Sequence, residues 1–156
     1  MRAQLAAVSV QHADFDPGAE IERLAAAEVG AVASFVGLVR ATPAQPRESP
    51  VVALELEHYP GMTERCIADI CALAAERWQV QGLRVIHRIG RLEAGARIVW
   101  VGVASRQRGD AFAACEFIMD YLKTRAPFWK KEWLADGSSR WVDARASDDD
   151  AAARWA

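Results

Sequence analysis

Between Tyr121 and Lys131 the chain sets four cationic side chains and no acid in eleven residues: Lys123, Arg125, Lys130 and Lys131. Lys123 falls in the last turn of an expected helix. Lys130 lies beyond Pro127, on an expected extended segment. A helix end and a strand start can fold back on each other, so both ammonium groups can reach one pocket. Ammonium groups that are held together, or partly buried, favour loss of a proton from one of them. Such a pair binds anions, and one member can serve as an amine base or nucleophile. Phe128 and Trp129 could wall such a pocket. A structural role fits the same spacing. Cations complement the dipole at a helix C-terminus, and Lys130 and Lys131 suit a solvated edge strand. Spacing alone leaves both readings open.

Other cations sit at element ends. Arg40 closes an expected strand and enters a proline-rich stretch. Arg106 and Arg108 lie between an expected strand and a helix N-terminus, where a guanidinium and free backbone N–H groups can converge on an anion. Plain surface arginine is the alternative for each. His12 is expected to be exposed, and His58 and His87 to be packed or hydrogen-bonded. Cys66, Cys71 and Cys115 lie on or beside helical core stripes and read as packing residues, since buried thiols are inert. Their odd number and wide spacing do not suggest a disulfide framework. Sulfur chemistry here would need sulfur brought by another molecule. No Ser/His/Asp set, zinc-type cluster, Gly-x-Gly-x-x-Gly or Walker loop is present, so no metal and no cofactor is expected.

The elements that must position these groups follow from periodicity and breakers. A first strand is expected over 3–10. A helix then opens with Asp16 as N-cap and Pro17 at its first position, carries Ile21, Leu24, Ala25 and Val29 on one stripe, and leaves at Gly30. Strands are expected over 31–40 and 51–58, with a mobile surface loop at 41–50 between them. A helix over 63–79 has Ile67, Ile70, Cys71, Ala74 and Trp78 on its buried face. Strands follow over 83–89 and 96–104, with a turn from Gly90 to Gly95. A helix over 109–125 has an inner stripe of Phe112, Cys115, Ile118, Met119 and Leu122 and stops at Pro127. Segments 128–134 and 140–145 form a hairpin. A short C-terminal helix opens at Ser147 to Asp150, within a tail over 146–156. The mixture without strict alternation predicts an α+β fold.

The chain has 156 residues, 52% hydrophobic and 26% charged, which suits one domain over 1–156 with a real core. A net charge of -2 argues against a general nucleic-acid or anionic-membrane binder. No run approaches the roughly 18 apolar residues of a membrane span, and the N-terminus reads as a strand of a cytoplasmic protein rather than a signal peptide.

Several segments carry a family resemblance: Phe-Val-Gly-Leu-Val-Arg at 35–40, Leu-Glu-His-Tyr-Pro-Gly-Met-Thr-Glu at 56–64, Val-Ile-His-Arg-Ile-Gly at 85–90, Val-Gly-Val-Ala-Ser at 101–105, Phe-Ile-Met-Asp-Tyr-Leu-Lys-Thr-Arg-Ala-Pro-Phe-Trp-Lys-Lys-Glu at 117–132 and Arg-Trp-Val-Asp-Ala-Arg at 140–145. Together they resemble the large, catalytic subunit of molybdopterin synthase. The resemblance implies an α/β hammerhead fold with an added antiparallel sheet subdomain. It implies sulfur transfer from the C-terminal Gly-Gly thiocarboxylate of a small ubiquitin-like subunit to cyclic pyranopterin monophosphate (precursor Z), in molybdenum cofactor biosynthesis. It also implies a homodimer with a small subunit at each end, a heterotetramer. By position, Lys123 and Lys130 match the family's catalytic lysines. Arg40, Arg108, Lys131 and Arg145 match substrate- or anion-binding positions. Gln107 stands where the family often has His, and glutamine cannot transfer a proton near neutral pH. Leu38 stands where a lysine is common, and Lys131 replaces a frequent arginine, which loses bidentate geometry. Two readings from other classes use the same basic pocket: a non-catalytic module gripping a ubiquitin-like tail or an anionic metabolite, and a single-stranded RNA binder built on Trp129.

Overall fold

The structure, a computed structural model, describes residues 6–43, 49–142 and 146–156. The elements run β1 (Ala6–Gln11), α1 (Pro17–Leu24), β2 (Ala31–Leu38), β3 (Val51–His58), α2 (Met62–Arg77), β4 (Gly82–Arg88), β5 (Gly90–Glu93), β6 (Arg97–Ser105), α3 (Arg108–Arg125), β7 (Phe128–Leu134), β8 (Ser139–Val142) and α4 (Ala146–Ala153). The α+β expectation holds.

A first sheet has the order β1-β4-β6-β2, with β1 parallel to β4 and the other pairs antiparallel. One face carries Ala33, Leu83, Val85, Val99, Val101 and Val103 into a core with α2 and α3. The α2 stripe of Ile67, Ile70, Cys71 and Ala74 is buried as its spacing predicts. On the other face Phe15, Ile86 and Trp100 form a smaller core with Leu24 of α1. A second sheet, β5-β3-β7-β8, is antiparallel throughout. Its inner residues Leu56 and Leu92 pack with Val39. Ile98, at the start of β6, packs against both this cluster and the main core, joining the sheets.

Three expectations are corrected. The first helix ends at Leu24, with Ala25 extended at its C-cap (ψ 134°), so Val29 is not on a helical stripe. Gly30 is set instead by close approach, since a Cβ there would lie 2.1 Å from the Arg106 carbonyl oxygen while its N–H donates to Ser105 O at 3.0 Å. The stretch after Gly90 contains a strand, β5, too short to show alternation. On α3 the buried set is Ala111, Ala114, Cys115, Phe117, Ile118, Met119, Tyr121 and Leu122, while Phe112 is 65% exposed. Residues 3–5 of the expected first strand, 44–48 of the proline-rich loop and 143–145 of the expected hairpin, Arg145 among them, lie outside the described residues.

Candidate active site

The site is built around the break between α3 and β7. Proline lacks the N–H that would continue the helix, and Ala126 before it is extended (φ -81°, ψ 131°). β7 starts one residue after Pro127. The turn is tied to α2 by Thr63, which is fully buried. The Thr63 hydroxyl donates to the Pro127 carbonyl at 3.0 Å and accepts the Tyr59 N–H at 2.9 Å.

Alternation then sorts the β7 side chains. Phe128, Lys130 and Glu132 lie opposite His58, Leu56 and Leu54 of β3 on the inner face, and Trp129 and Lys131 lie opposite Glu57 and Glu55 on the outer one. Lys123, Lys130 and Arg40 line one cavity of about 400 Å³, with Leu38 and Phe128 as apolar wall and Glu132 and Asp148 as acidic lining. Glu132 is nearly buried. Its Oε1 accepts from Arg140 Nε at 3.1 Å and Nη2 at 3.0 Å, so its charge is met from β8. Among the described residues that line the cavity, Arg40, Lys123 and Lys130 are the cations and Glu132 and Asp148 the acids, and with Glu132 bonded to Arg140 this lining suits an anion. Arg125 does not join them; its guanidinium lies 3.9 Å from the Tyr121 ring centroid.

The remaining expected site residues part company with this cavity. Lys131 is held on the opposite face of the sheet, with Nζ 4.8 Å from the Trp133 ring and 5.6 Å from the Trp141 ring. Gln107 and Arg108 are exposed at the other end of α3. The helix rises about 22 Å between Arg108 and Lys123 at 1.5 Å per residue. Gln107 is the N-cap, without a side-chain capping bond.

Reading by sequence missed Glu132, Asp148 and Thr63. Period-2 alternation from Lys130 could have found Glu132. Nothing local marks the other two. His87 is packed as expected, 7% exposed, and burial together with the charges of Lys130, Lys123 and His58 pulls its imidazole down to about 4. Burial pushes the Cys71 and Cys115 thiols up to about 12, which keeps both unreactive. Cys66 is partly exposed.

The family model described as MoaE protein matches residues 10–125. The chain belongs to the MoaE family. Within that family it is 58% identical over 149 residues to the molybdopterin synthase catalytic subunit of Vibrio cholerae, covering 95% of this chain and 97% of that protein. The solved MoaE protein of Burkholderia ambifaria is 50% identical, with a TM-score of 0.80, covering 96% of this chain and 97% of that one. A more distant likeness of fold, 20% identical with a TM-score of 0.71, is to a chain in the complex of subunits 1 and 2 of molybdopterin-converting factor from Helicobacter pylori. It covers 88% of this chain and 91% of that one.

Proposed function

We propose that this MoaE-family chain is the catalytic subunit of a molybdopterin synthase. It takes sulfur from the C-terminal thiocarboxylate of a small ubiquitin-like subunit and installs it on cyclic pyranopterin monophosphate as the dithiolene. The observation that carries this reading is the shared cavity of Lys123 and Lys130, with Arg40 beside them.

A Gly-Gly tail is thin and extended, with a reach of about 3.5 Å per residue, and can thread a narrow opening. Lys123 orients the terminal sulfur and stabilises its anionic character as sulfur attacks the pterin side chain. Lys130 assists with substrate charge or a proton transfer. Arg40 holds the cyclic phosphate, with Arg145 as a further candidate. The attack forms a C–S bond as a C–O bond of the side chain breaks, the departing oxygen taking a proton or staying with the phosphate, and it leaves the tail joined to substrate as a thioester. Water then releases a carboxylate tail, and a second thiocarboxylate delivers the second sulfur.

In this proposal Gln107 and Arg108 act on the substrate from a second copy of the chain, since about 22 Å of helix keeps them from the cavity of their own. A homodimer is supported by the edge strand β2, which among the described residues pairs only with β6. Beside it Phe35, Leu38 and Phe112 are exposed by 40%, 53% and 65%. A second hollow of about 610 Å³ at Phe35 and Phe112 shares Lys123 and Asp148 with the lysine cavity. Lys131, behind the sheet, is assigned to stacking rather than to substrate.

The decisive assay mixes the chain with precursor Z and thiocarboxylated small subunit and measures dithiolene product. Lys123→Ala, at an exposed position, should fold normally and lose activity by about a hundredfold or more, and Lys130→Ala should also slow turnover severely. Full activity in folded Lys123→Ala would refute the assignment. A complex that yields no product with the unmutated chain would leave only a gripping module.

A further inference from the structure

Beside the lysine cavity lies a buried titratable group that the reaction as proposed does not use. His87 is on β4, on the same face as Leu83 and Val85, and lies opposite Val99 near the start of β6. Its ring is stacked on Phe128, with centroids 3.9 Å apart and planes 19° from parallel. Phe128 and Lys130 are same-face neighbours on β7, about 7 Å apart along the strand. The ring therefore lies within a side chain's length of the Lys130 amine.

The tautomer follows from one bond. His87 Nδ1 lies 2.8 Å from the Arg88 carbonyl oxygen. A carbonyl only accepts, so Nδ1 carries the proton, and the neutral ring presents Nε2 as a bare acceptor. Among the described residues, the titratable groups that act on the ring from elements packed against it are Lys130 on β7, Lys123 at the end of α3 and His58 on β3, and none of these is an acid. A neutral acceptor next to donors is a complementary arrangement. An imidazolium there would only repel the lysines.

We propose that His87 is a positioning residue for the lysine pair: Nε2 accepts a hydrogen bond from the Lys130 ammonium, and the ring, held by the Phe128 stack and the Arg88 carbonyl, fixes where that amine stands. This deepens the sulfur-transfer reading and rests on it only for the activity measurement.

Two measurements test it. The first needs no activity and no change at His87. Imidazole nitrogen spectra of the whole chain, labelled at histidine, are compared with those of Lys130→Met. The Nε2 resonance of His87 should move toward that of a free acceptor, with His12 as unchanged reference. An unmoved His87 signal overturns the proposal, whatever the chain does to precursor Z. The second is turnover with precursor Z and thiocarboxylated small subunit. His87→Phe keeps the stack and removes the acceptor, and it should lower kcat about tenfold with KM within about twofold. The alkaline limb of the kcat–pH profile should move about one unit toward acid. A folded His87→Phe with unaltered kcat and profile, even if less heat-stable, would show a purely structural histidine and overturn the proposal. If the lysine variants keep full activity, the sulfur-transfer reading fails, and the spectra still decide the hydrogen bond.

Discussion

Lys130 and Lys131 are adjacent cations with different surroundings. One lines the cavity, and the other lies over indole rings across the sheet. The face on which each leaves β7 makes the difference, and composition says nothing about it. His87 shows the same dependence on surroundings. Unfolded, it takes up a proton near pH 6.5. Folded, it resists until about 4. Its folded value is depressed, so its contribution is whole above about pH 6.5 and is lost on acidification through that window. The loss is about 3 kcal/mol by pH 4 at about 1.4 kcal/mol per unit. Denaturant unfolding at pH 7, 5.5 and 4.5 should therefore show a steeper acid loss in the unmutated chain than in His87→Phe. Parallel losses in the two proteins would contradict this.

At the scale of elements, the α3–β7 junction is the part that counts. Pro127 ends the helix, and the residue before it is extended, as local sterics require. What aims β7 is the Thr63 hydroxyl, bonded on one side to Pro127 O and on the other to Tyr59 N–H. Thr63→Val keeps the shape and strips both bonds, leaving buried partners unmet at a cost of about 2 kcal/mol. Urea unfolding should record that loss, and turnover should fall further than folded fraction explains, because Lys130 follows the turn. Unchanged stability would mean that water replaces the hydroxyl. The corrections among the elements have the same origin. α1 stops at Leu24, and the chain beyond it brings Gly30 against Arg106, an approach that no local pattern encodes.

At the scale of the whole molecule, α3 separates two groups of site residues. Lys123 and Arg40 are at one end, and Gln107 and Arg108 at the other. If the proposed dimer shares its sites, a chain with Arg108→Ala and one with Lys123→Ala should complement each other. A heterodimer then holds one intact site and one doubly altered site. Random pairing would restore about a quarter of full activity. Co-expression, dimer isolation and turnover measure this, and no recovery above the separate variants would rule out sharing. Among the described residues no helix is long and apolar enough to cross a membrane.

Much of this chain could be read locally. The α2 stripe, the proline stop, the strands other than β5 and the cationic run around Pro127 depend on neighbours within a few residues, where periodicity and sterics act directly. The resemblance carried by 117–132 marked both lysines of the cavity. Phe112 was misplaced because an apolar side chain at helical spacing reads as core whether its cover is the same chain or another molecule. The tertiary fold alone decided that Asp148 joins the cavity, that Arg108 stands a helix length from it, and that His87 stacks on Phe128 beside it. Those outcomes depend on contacts between segments far apart in the chain, such as Thr63 with Pro127 and His87 with Phe128, which form only when both sheets and α2 have closed around the turn.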